Sequence, residues 1–194
     1  MPTRELWLVR HGETPASRGH SLAGWSDVPL TEAGEEQARA LRPVLEGEVY
    51  ADVWSSDLSR AVRTARLAWG EPRQERRLRE IDFGSLEGRH WPELEREHRK
   101  ALERFEGFAP PGGETLERFR GRVVPFLDEL APGRHLLFTH GGVLRLLSRE
   151  AGHDQFLPTG SLLVLDWDAR RVLRRHDGPG APPGPPGIAP GQTA

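Results

Sequence analysis

Two histidines in this chain each follow a short apolar run and precede a glycine. His11 stands in the run Arg10-His11-Gly12, and His140 is followed by Gly141. A histidine where a buried strand ends can be a ligand, a base or a nucleophile, and an adjacent arginine indicates an anion. Each run is weak evidence alone. The first can arise by chance in an arginine- and glycine-rich chain, and His140 can equally be a capping or core histidine.

Two further residues follow predicted extended segments. Arg60 falls in the first turn of a predicted helix, where a cation opposes the helix dipole, and a bound phosphate would remove this mismatch. Glu80, in the run LREIDFG, could donate a proton. The alternatives are an ordinary surface arginine at position 60 and an ion pair between Glu80 and Arg79. Together with the histidines, these residues supply a nucleophile, two guanidinium groups and an acid. Gly141 and Gly142 would add free backbone amides, because they open the predicted helix after His140.

The elements that must position these residues alternate along the chain. Extended segments are predicted at residues 5–9, 49–54, 74–81, 134–139, 162–166 and 172–175. Helices are predicted at residues 31–45, 58–69, 91–105, 115–130 and 143–151. The last two extended segments should form a hairpin. This alternation favours an α/β fold, a three-layer α/β/α sandwich with a mainly parallel central sheet and helices on both faces.

Four motifs, in this order, resemble those of one family. They are RHGET, SSDLSRA, LREIDFGSLEG and FTHGG, and the stretch GWSDVPLTEAGEEQA from Gly24 to Ala38 adds to them. The set is similar to that of the histidine phosphatase superfamily, also called the phosphoglycerate-mutase-like family. The resemblance covers residues 5–150 and implies a phosphoglycerate-mutase-like fold.

The resemblance also implies roles for individual residues. His11 would take the phosphoryl group as nucleophile, Glu80 would be the proton donor, and Arg10, Arg60 and His140 would bind the phosphoryl group around His11. Further substrate or phosphate contacts are implied at Ser17, Ala23, Gly24 and Gly141. Family members commonly carry Trp-Asn where this chain has Ala16 and Ser17, so the contact of the asparagine would fall to a serine of shorter reach.

The chemistry agrees with these roles. Arginine gives bidentate, charge-assisted contacts that lysine cannot reproduce. A neutral His11 can attack in line if its other ring nitrogen is held as a donor, commonly by a backbone carbonyl. A protonated Glu80 would supply the departing alkoxide. The phosphohistidine then divides one hard displacement into two easier ones.

The segment after Glu80 separates phosphatases from mutases. Family mutases read Glu-Arg-His-Tyr-Gly there and carry a later Arg-Arg pair, whereas this chain has Ile81, Asp82 and Phe83. Asp82 would add an acid to the site, and the short insertion before the PPGGETLERF run, with Phe105, Phe108 and Ala109, should form a more apolar lid that suits a bulkier, less charged leaving group. The pattern resembles the α-ribazole phosphatases of cobalamin synthesis, and α-ribazole 5′-phosphate is one predicted substrate. The alternatives are a phosphoglycerate mutase, a broad-specificity sugar-phosphate phosphatase and a non-catalytic module that binds a phosphorylated ligand.

Composition excludes several other classes of function. The net charge of −2 carries no indication of nucleic-acid or membrane binding, and the absence of cysteine excludes disulfides and thiolate metal sites. His135 with His140, and Glu95 with His98, have ligand-like spacings that nothing else completes, so neither a metal nor a cofactor is expected. The N-terminus predicts neither a signal peptide nor a membrane span, and a cytoplasmic location follows. The oligomeric state stays open.

The C-terminal segment has an unusual composition. In residues 177–194, 11 of 18 positions are Gly or Pro. Such a stretch buries too little apolar surface to offset its ordering entropy, so a disordered tail is predicted. The predicted domain is therefore residues 1–176.

Overall fold

The computed structural model describes residues 3–178. Most of the predicted tail, residues 179–194, lies outside this range. The strands are β1 (Arg4–Arg10), β2 (Asp52–Ser55), β3 (Arg73–Gln74), β4 (Gly133–Thr139), β5 (Leu162–Asp166) and β6 (Arg171–His176). The α-helices are α1 (Pro15–Arg18), α2 (Glu32–Ala40), α3 (Arg42–Leu45), α4 (Ser59–Ala68), α5 (Arg96–Arg104), α6 (Leu116–Glu129) and α7 (Gly141–Glu150). Single 3₁₀ turns span Arg76–Leu78, Gly84–Leu86 and Trp91–Glu93.

The six strands form one mixed sheet in the order β3-β2-β4-β1-β5-β6. Strands β3, β2, β4 and β1 run parallel to one another. Strand β5 is antiparallel to β1, and β6 pairs with β5 as the predicted hairpin. The mainly parallel sheet is confirmed. Because β1 and β4 are neighbours in parallel register, with Arg10 opposite Thr139, the residues that follow each strand emerge side by side.

Alternating side chains of β1 supply the cores on the two faces of the sheet. Leu6 and Leu8 pack in a cluster with residues of α6 and α7. Trp7 and Val9 pack on the other face with residues of α3 and α4 and with Leu41, which lies between α2 and α3. This period of two is that of a strand buried on both faces. The predicted three-layer α/β/α arrangement is confirmed.

Three predicted elements differ from the structure by more than a shift of their ends. The single helix expected at residues 31–45 is divided into α2 and α3 near Pro43, which has no amide hydrogen to donate inside a helix. The extended segment expected at residues 74–81 keeps only a two-residue strand, because the Glu75 carboxylate accepts a hydrogen bond from the Arg77 amide and starts a 3₁₀ turn. The helix expected at residues 91–105 opens as a 3₁₀ turn and becomes α-helical only at Arg96.

Within residues 3–178, none of the helices combines the length and the apolar character that crossing a bilayer requires.

Candidate active site

The ends of β1 and β4 bring the two predicted histidines together. The His11 amide donates to the carbonyl of Thr139 at 2.9 Å, which fixes the two strand ends against each other. The rings of His11 and His140 lie 5.2 Å apart, centroid to centroid, at an angle of 62°. Both side chains are buried, His11 with 6% of its surface exposed and His140 with none.

A backbone carbonyl fixes the tautomer of His11. Its Nδ1 lies 2.7 Å from the carbonyl oxygen of Gly12. Since a carbonyl oxygen can only accept, Nδ1 carries the proton and Nε2 keeps its lone pair. Gly12 itself has no room for a side chain, because a Cβ there would collide with the backbone carbonyl of Gly34. This is the arrangement that a nucleophilic Nε2 needs.

Both histidines are held neutral by their surroundings. Burial lowers the pKa of His11 well below its usual range, and the positive charges of Arg60 and Arg10 lower it further. The pKa of His140 is lowered in the same way, by burial first and then by Arg60 and by neighbouring histidine and arginine side chains. Neutral imidazoles at this position can act as nucleophile and hydrogen-bond donor.

Two arginines beside His11 leave donors unused. Arg60, only 1% exposed, donates to the carbonyls of Ser26 at 3.0 Å and Gly24 at 2.6 Å, and Arg10 donates to that of Leu157. The Nε of each is buried without a hydrogen-bond partner among residues 3–178. In the same part of the chain, neither guanidinium forms an ion pair.

The charge of these arginines persists although burial opposes it. Burial lowers the pKa of Arg10 to about 10, the nearby Glu80 partly offsets this, and Arg60 adds to it. Burial also lowers the pKa of Arg60. A pKa of about 10 keeps Arg10 protonated at neutral pH, and arginine side chains such as Arg60 do not lose their proton in proteins. Two buried cations with unused donors form a site for a multiply charged anion.

His140 is neither a capping nor a satisfied core histidine. It precedes α7 at the N-cap position but makes no side-chain capping bond. Both of its ring nitrogens are buried without a partner among the described residues. Buried polar atoms of this kind need an explanation, and a bound ligand would supply one.

Glu80 does not pair with Arg79, which was the alternative open at the sequence level. Arg79 binds Asp57 instead, with Nε 2.7 Å from Oδ1. The Glu80 carboxylate accepts from the amides of Ile81 at 2.9 Å and Gly142 at 3.0 Å. Glu80 is thus held at the N-terminus of α7, where a Cβ on Gly142 would collide with it.

Most of these groups open into a cavity of about 610 Å³, but the fully buried His140 is not part of its lining. Arg10, His11, Arg60 and Glu80 line one part of it. Leu22, Ile81, Phe83, Trp91, Leu102, Phe105 and Phe156 form apolar walls. Its size is that of a pocket for a small organic molecule.

Of the remaining predicted contact residues, Ser17, Ala23 and Gly24 line this cavity and Gly141 does not. Ser17 lines the wall, and its hydroxyl accepts from the amide of Thr14 at 2.9 Å in a capping box of α1. Ala23 and Gly24 line it too, and Gly24 adopts a left-handed φ of 52°. Gly141 packs against Arg10, where a Cβ would lie 3.1 Å from Cζ. The roles of these residues stay predictions.

The expectations for the residues after Glu80 were partly wrong. Asp82 adds no acid to the cavity lining, because its carboxylate accepts from the Gly84 amide at 2.8 Å in a local turn. Phe108 lies in the core, 1% exposed, and Ala109 is on the surface. Phe105 alone of the three lines the cavity.

Sequence reasoning missed Arg145, which also lines the cavity. It lies one helical turn after Gly141 on α7, and this spacing is the signal that could have found it. Its guanidinium donates to the carbonyls of Leu102 at 2.7 Å and Glu103 at 2.6 Å, and it pairs with Asp154. Arg145 therefore ties the end of α5 to α7.

Residues with ligand-like spacing do not assemble into a metal site. Among residues 3–178, no group of three or more His, Asp or Glu side chains is placed to hold a metal ion. His135 is buried, with Nε2 at 2.8 Å from the carbonyl of Ala131. His98 is half-buried, with its ring centroid 6.1 Å from that of Phe108.

The lowered histidine pKa values predict how stability depends on pH. The unfolded chain takes up a proton at each histidine near pH 6.5, whereas the folded chain does not. The free energy of unfolding should therefore decrease as the pH falls below that value, by up to about 1.4 kcal/mol per pH unit for each histidine. Urea unfolding in phosphate-free buffers between pH 7.5 and 5.5 measures this slope. His140→Asn should make it shallower; an unchanged slope would contradict the buried neutral state.

This chain is similar in fold and sequence to proteins that are already known. A family model described as the histidine phosphatase superfamily (branch 1) matches residues 6–174. A crystal structure of phosphoglycerate mutase from Thermus thermophilus is 51% identical with a TM-score of 0.84, covering 88% of this chain and 97% of that one. The adenosylcobalamin/alpha-ribazole phosphatase of Escherichia coli (strain K12) is 35% identical, over 73% of this chain and 76% of the relative. Fructose-2,6-bisphosphatase TIGAR B of Danio rerio is 36% identical, over 91% and 75%.

The names of these relatives cover both phosphatases and a mutase, so they agree on phosphoryl chemistry and differ in the reaction. The resemblance inferred from the four motifs is confirmed. With a family model that spans residues 6–174 and relatives of this identity, the chain belongs to the histidine phosphatase superfamily.

Proposed function

We propose that this protein is a phosphomonoesterase that hydrolyses a small phosphorylated metabolite through a phosphohistidine on His11. One observation carries the proposal. Beside a histidine with a free Nε2 lone pair lie two buried guanidinium groups and a second histidine, all with unused polar atoms. A phosphoryl group presents three equatorial oxygens to such donors, and preorganised donors stabilise the charge that they carry in the transition state.

In the first step, Nε2 of His11 attacks phosphorus and forms the P–N bond, while the bond from phosphorus to the ester oxygen breaks. Arg10, Arg60 and His140 hold the transferring oxygens. Glu80, in its protonated form, gives its proton to the departing alkoxide, so that a neutral alcohol leaves. The products of this half-reaction are phosphohistidine, the alcohol and the Glu80 carboxylate.

In the second step, water attacks phosphorus and the P–N bond breaks. The Glu80 carboxylate takes the proton of the attacking water, which restores its acid form, and inorganic phosphate is released. His11 returns to the neutral tautomer because the Gly12 carbonyl continues to accept from Nδ1. The guanidinium groups supply the positive charge that a metal ion supplies in other phosphatases, so we infer that the reaction is metal-independent.

The composition of the cavity walls favours a substrate whose leaving group is bulky and carries little charge. Apart from the phosphoryl-binding end, the lining is rich in aromatic and aliphatic side chains, including Phe83, Phe105 and Phe156. The nucleoside-like α-ribazole 5′-phosphate meets this description, and the Escherichia coli relative is named for that substrate. We therefore propose it as the first substrate to test, with other sugar phosphates as alternatives.

A phosphoglycerate mutase is the second candidate, since the Thermus thermophilus relative carries that name. A mutase must bind the carboxylate of glycerate above the phosphoryl site. Besides Arg10 and Arg60, Arg145 is the arginine among the described residues that lines the cavity. Its guanidinium is already bound to Asp154 and two carbonyls. Because Arg145 already has these partners, it is not free to bind the glycerate carboxylate, and this favours hydrolysis over isomerisation.

Measuring isomerisation and hydrolysis side by side distinguishes a mutase from a phosphatase. Purified protein is supplied with 3-phosphoglycerate and catalytic 2,3-bisphosphoglycerate, and 2-phosphoglycerate and phosphate are followed together. In parallel, phosphate release is measured from α-ribazole 5′-phosphate, a panel of sugar phosphates and p-nitrophenyl phosphate, with and without EDTA. We expect phosphate release to exceed isomerisation and EDTA to have no effect. Faster isomerisation would identify a mutase, and vanadate binding without any turnover would identify a non-catalytic module.

A further inference from the structure

The segment that carries Glu80 has little regular structure of its own. Residues 79–83 lie outside every helix and strand, between a 3₁₀ turn that ends at Leu78 and another that begins at Gly84. Backbone groups in such a segment need partners other than a helix or a sheet ladder. Whatever supplies them determines where the Glu80 carboxyl lies.

A single arginine on α6 binds three backbone carbonyls, two in this segment and one in the 3₁₀ turn before it. The Arg122 guanidinium donates to the carbonyls of Arg77 and Arg79, each at 2.8 Å, and to that of Glu80 at 2.6 Å. The planar guanidinium fixes these acceptors relative to one another, which a lysine ammonium on a flexible stem would not do. Arg122 is largely buried.

Glu114 binds both Arg122 and the backbone of Asp82, which follows Glu80 in the chain. Its carboxylate binds Arg122 through two contacts, Nε to Oε1 at 2.6 Å and Nη2 to Oε2 at 2.8 Å. It also accepts from the Asp82 amide at 3.0 Å, and the Glu114 amide donates to the Asp82 carbonyl at 2.9 Å. Backbone groups on both sides of Glu80 are thus bound to one ion pair.

Trp25 links the same arrangement to the phosphoryl-binding end. Its Nε1 donates to the carbonyl of Glu80 at 2.8 Å, and its ring lies beneath the guanidinium groups of Arg79 and Arg122. The neighbouring residue Gly24 supplies a carbonyl to Arg60. The position of the acid is therefore set together with that of a phosphate-binding arginine.

We propose that Arg122 and Glu114 are positioning residues that hold Glu80 where it can protonate the leaving group. This inference rests on the proposed phosphatase function. Neither side chain lines the cavity. They act through the backbone of Glu80, and a displacement of about 1 Å in a catalytic group can cost on the order of 100-fold in rate.

The test compares esters that differ in how much they need an acid. Wild type, Arg122→Met, Arg122→Lys and the benchmark Glu80→Gln are assayed on p-nitrophenyl phosphate, whose leaving group needs no proton, and on an alkyl phosphate, whose leaving group does. We expect Arg122→Met to lose about 10- to 100-fold in kcat on the alkyl ester and less than about threefold on the nitrophenyl ester. Arg122→Lys should recover part of the loss.

Arg120→Met is the matched control. Arg120 lies on the same helix and forms an ion pair of similar geometry with Glu150, with Nε 2.7 Å from Oε1, away from the Glu80 segment. This variant should retain wild-type rates on both esters. Glu114→Gln, which keeps the size of the side chain, should show the same pattern of losses as Arg122→Met. If Arg122→Met does not fold, Glu114→Gln serves as the test.

The outcomes distinguish the inference from the function on which it rests. Equal losses on both esters in Arg122→Met and Glu114→Gln would overturn the positioning role while leaving the phosphatase function intact. Failure of the wild type to hydrolyse either ester would overturn the proposed function itself, and the inference with it. A loss confined to the alkyl ester, matching Glu80→Gln, would support the positioning role.

Discussion

Replacing His11 by alanine is expected to lower kcat by about 10⁴-fold or more on every phosphate monoester, because no other group in the site is oriented to form the covalent intermediate. Phosphate and vanadate should still bind, since both buried guanidinium groups and His140 remain in place. Steady-state kinetics with titration of vanadate by calorimetry measures the two effects separately.

The intermediate itself can be trapped in the wild type. Rapid quenching followed by mass spectrometry should find an acid-labile phosphoryl group on His11. A phosphoryl group on another residue, or a His11→Ala enzyme that retains near wild-type turnover, would contradict the mechanism.

Replacing Arg60 by methionine should have the second largest effect. Its Nε is a buried, unused donor, and removing one preorganised donor from a developing oxyanion typically costs about 10²- to 10³-fold in rate. Affinity for vanadate should fall as well, because the substitution removes a full charge from a buried site. Arg60→Lys should be intermediate, since an ammonium keeps the charge without the planar donor geometry. The measurements are kcat/KM and the vanadate Kd.

Arg63→Met serves as its control on the same helix. Arg63 lies on the surface and pairs with Glu35, with Nη2 2.8 Å from Oε1. Its loss should leave both kcat/KM and vanadate affinity unchanged. An Arg60→Met enzyme within threefold of wild type would remove Arg60 from phosphoryl binding.

Much of the fold could be predicted from the sequence because apolar runs and turn residues are local signals. The buried strand β1 and the antiparallel hairpin of β5 and β6 are examples. The extended segment expected at residues 74–81 failed because a single side-chain cap at Glu75 turned the backbone. Local polar competition of this kind does not alter the apolar pattern from which strands are inferred.

Only part of the candidate site could likewise be predicted from the sequence. The four motifs contain the residues that the structure brings together around His11, since each motif is continuous in sequence. Arg122 and Arg145 were not found, because Lys and Arg together number 27 and only Lys100 is lysine. In a chain so rich in arginine, the residue type does not show which side chains are buried. Their partners, such as the carbonyls of Glu80 and Leu102, are distant in sequence and are brought near only by tertiary packing.

Asp82 and Phe108 illustrate the opposite error. Both were placed at the substrate by their proximity in sequence to Glu80 and to the predicted lid. In the folded chain, Asp82 closes a turn with Gly84 and Phe108 packs against Phe83 in the core, with ring centroids 5.8 Å apart. A spacing of two or three residues outside regular structure does not define a direction, so it cannot assign a side chain to a cavity.

The pair of buried arginines has a consequence for how the enzyme responds to its surroundings. In the proposed hydrolysis, the donors that bind the transferring phosphoryl group also bind the released inorganic phosphate, so the product would compete with the substrate for the same guanidinium groups. Product inhibition would therefore follow from the same arginines that are proposed to accelerate the reaction. Turnover in a cell would decrease as free phosphate accumulates and rise when phosphate is scarce, without any separate regulatory site.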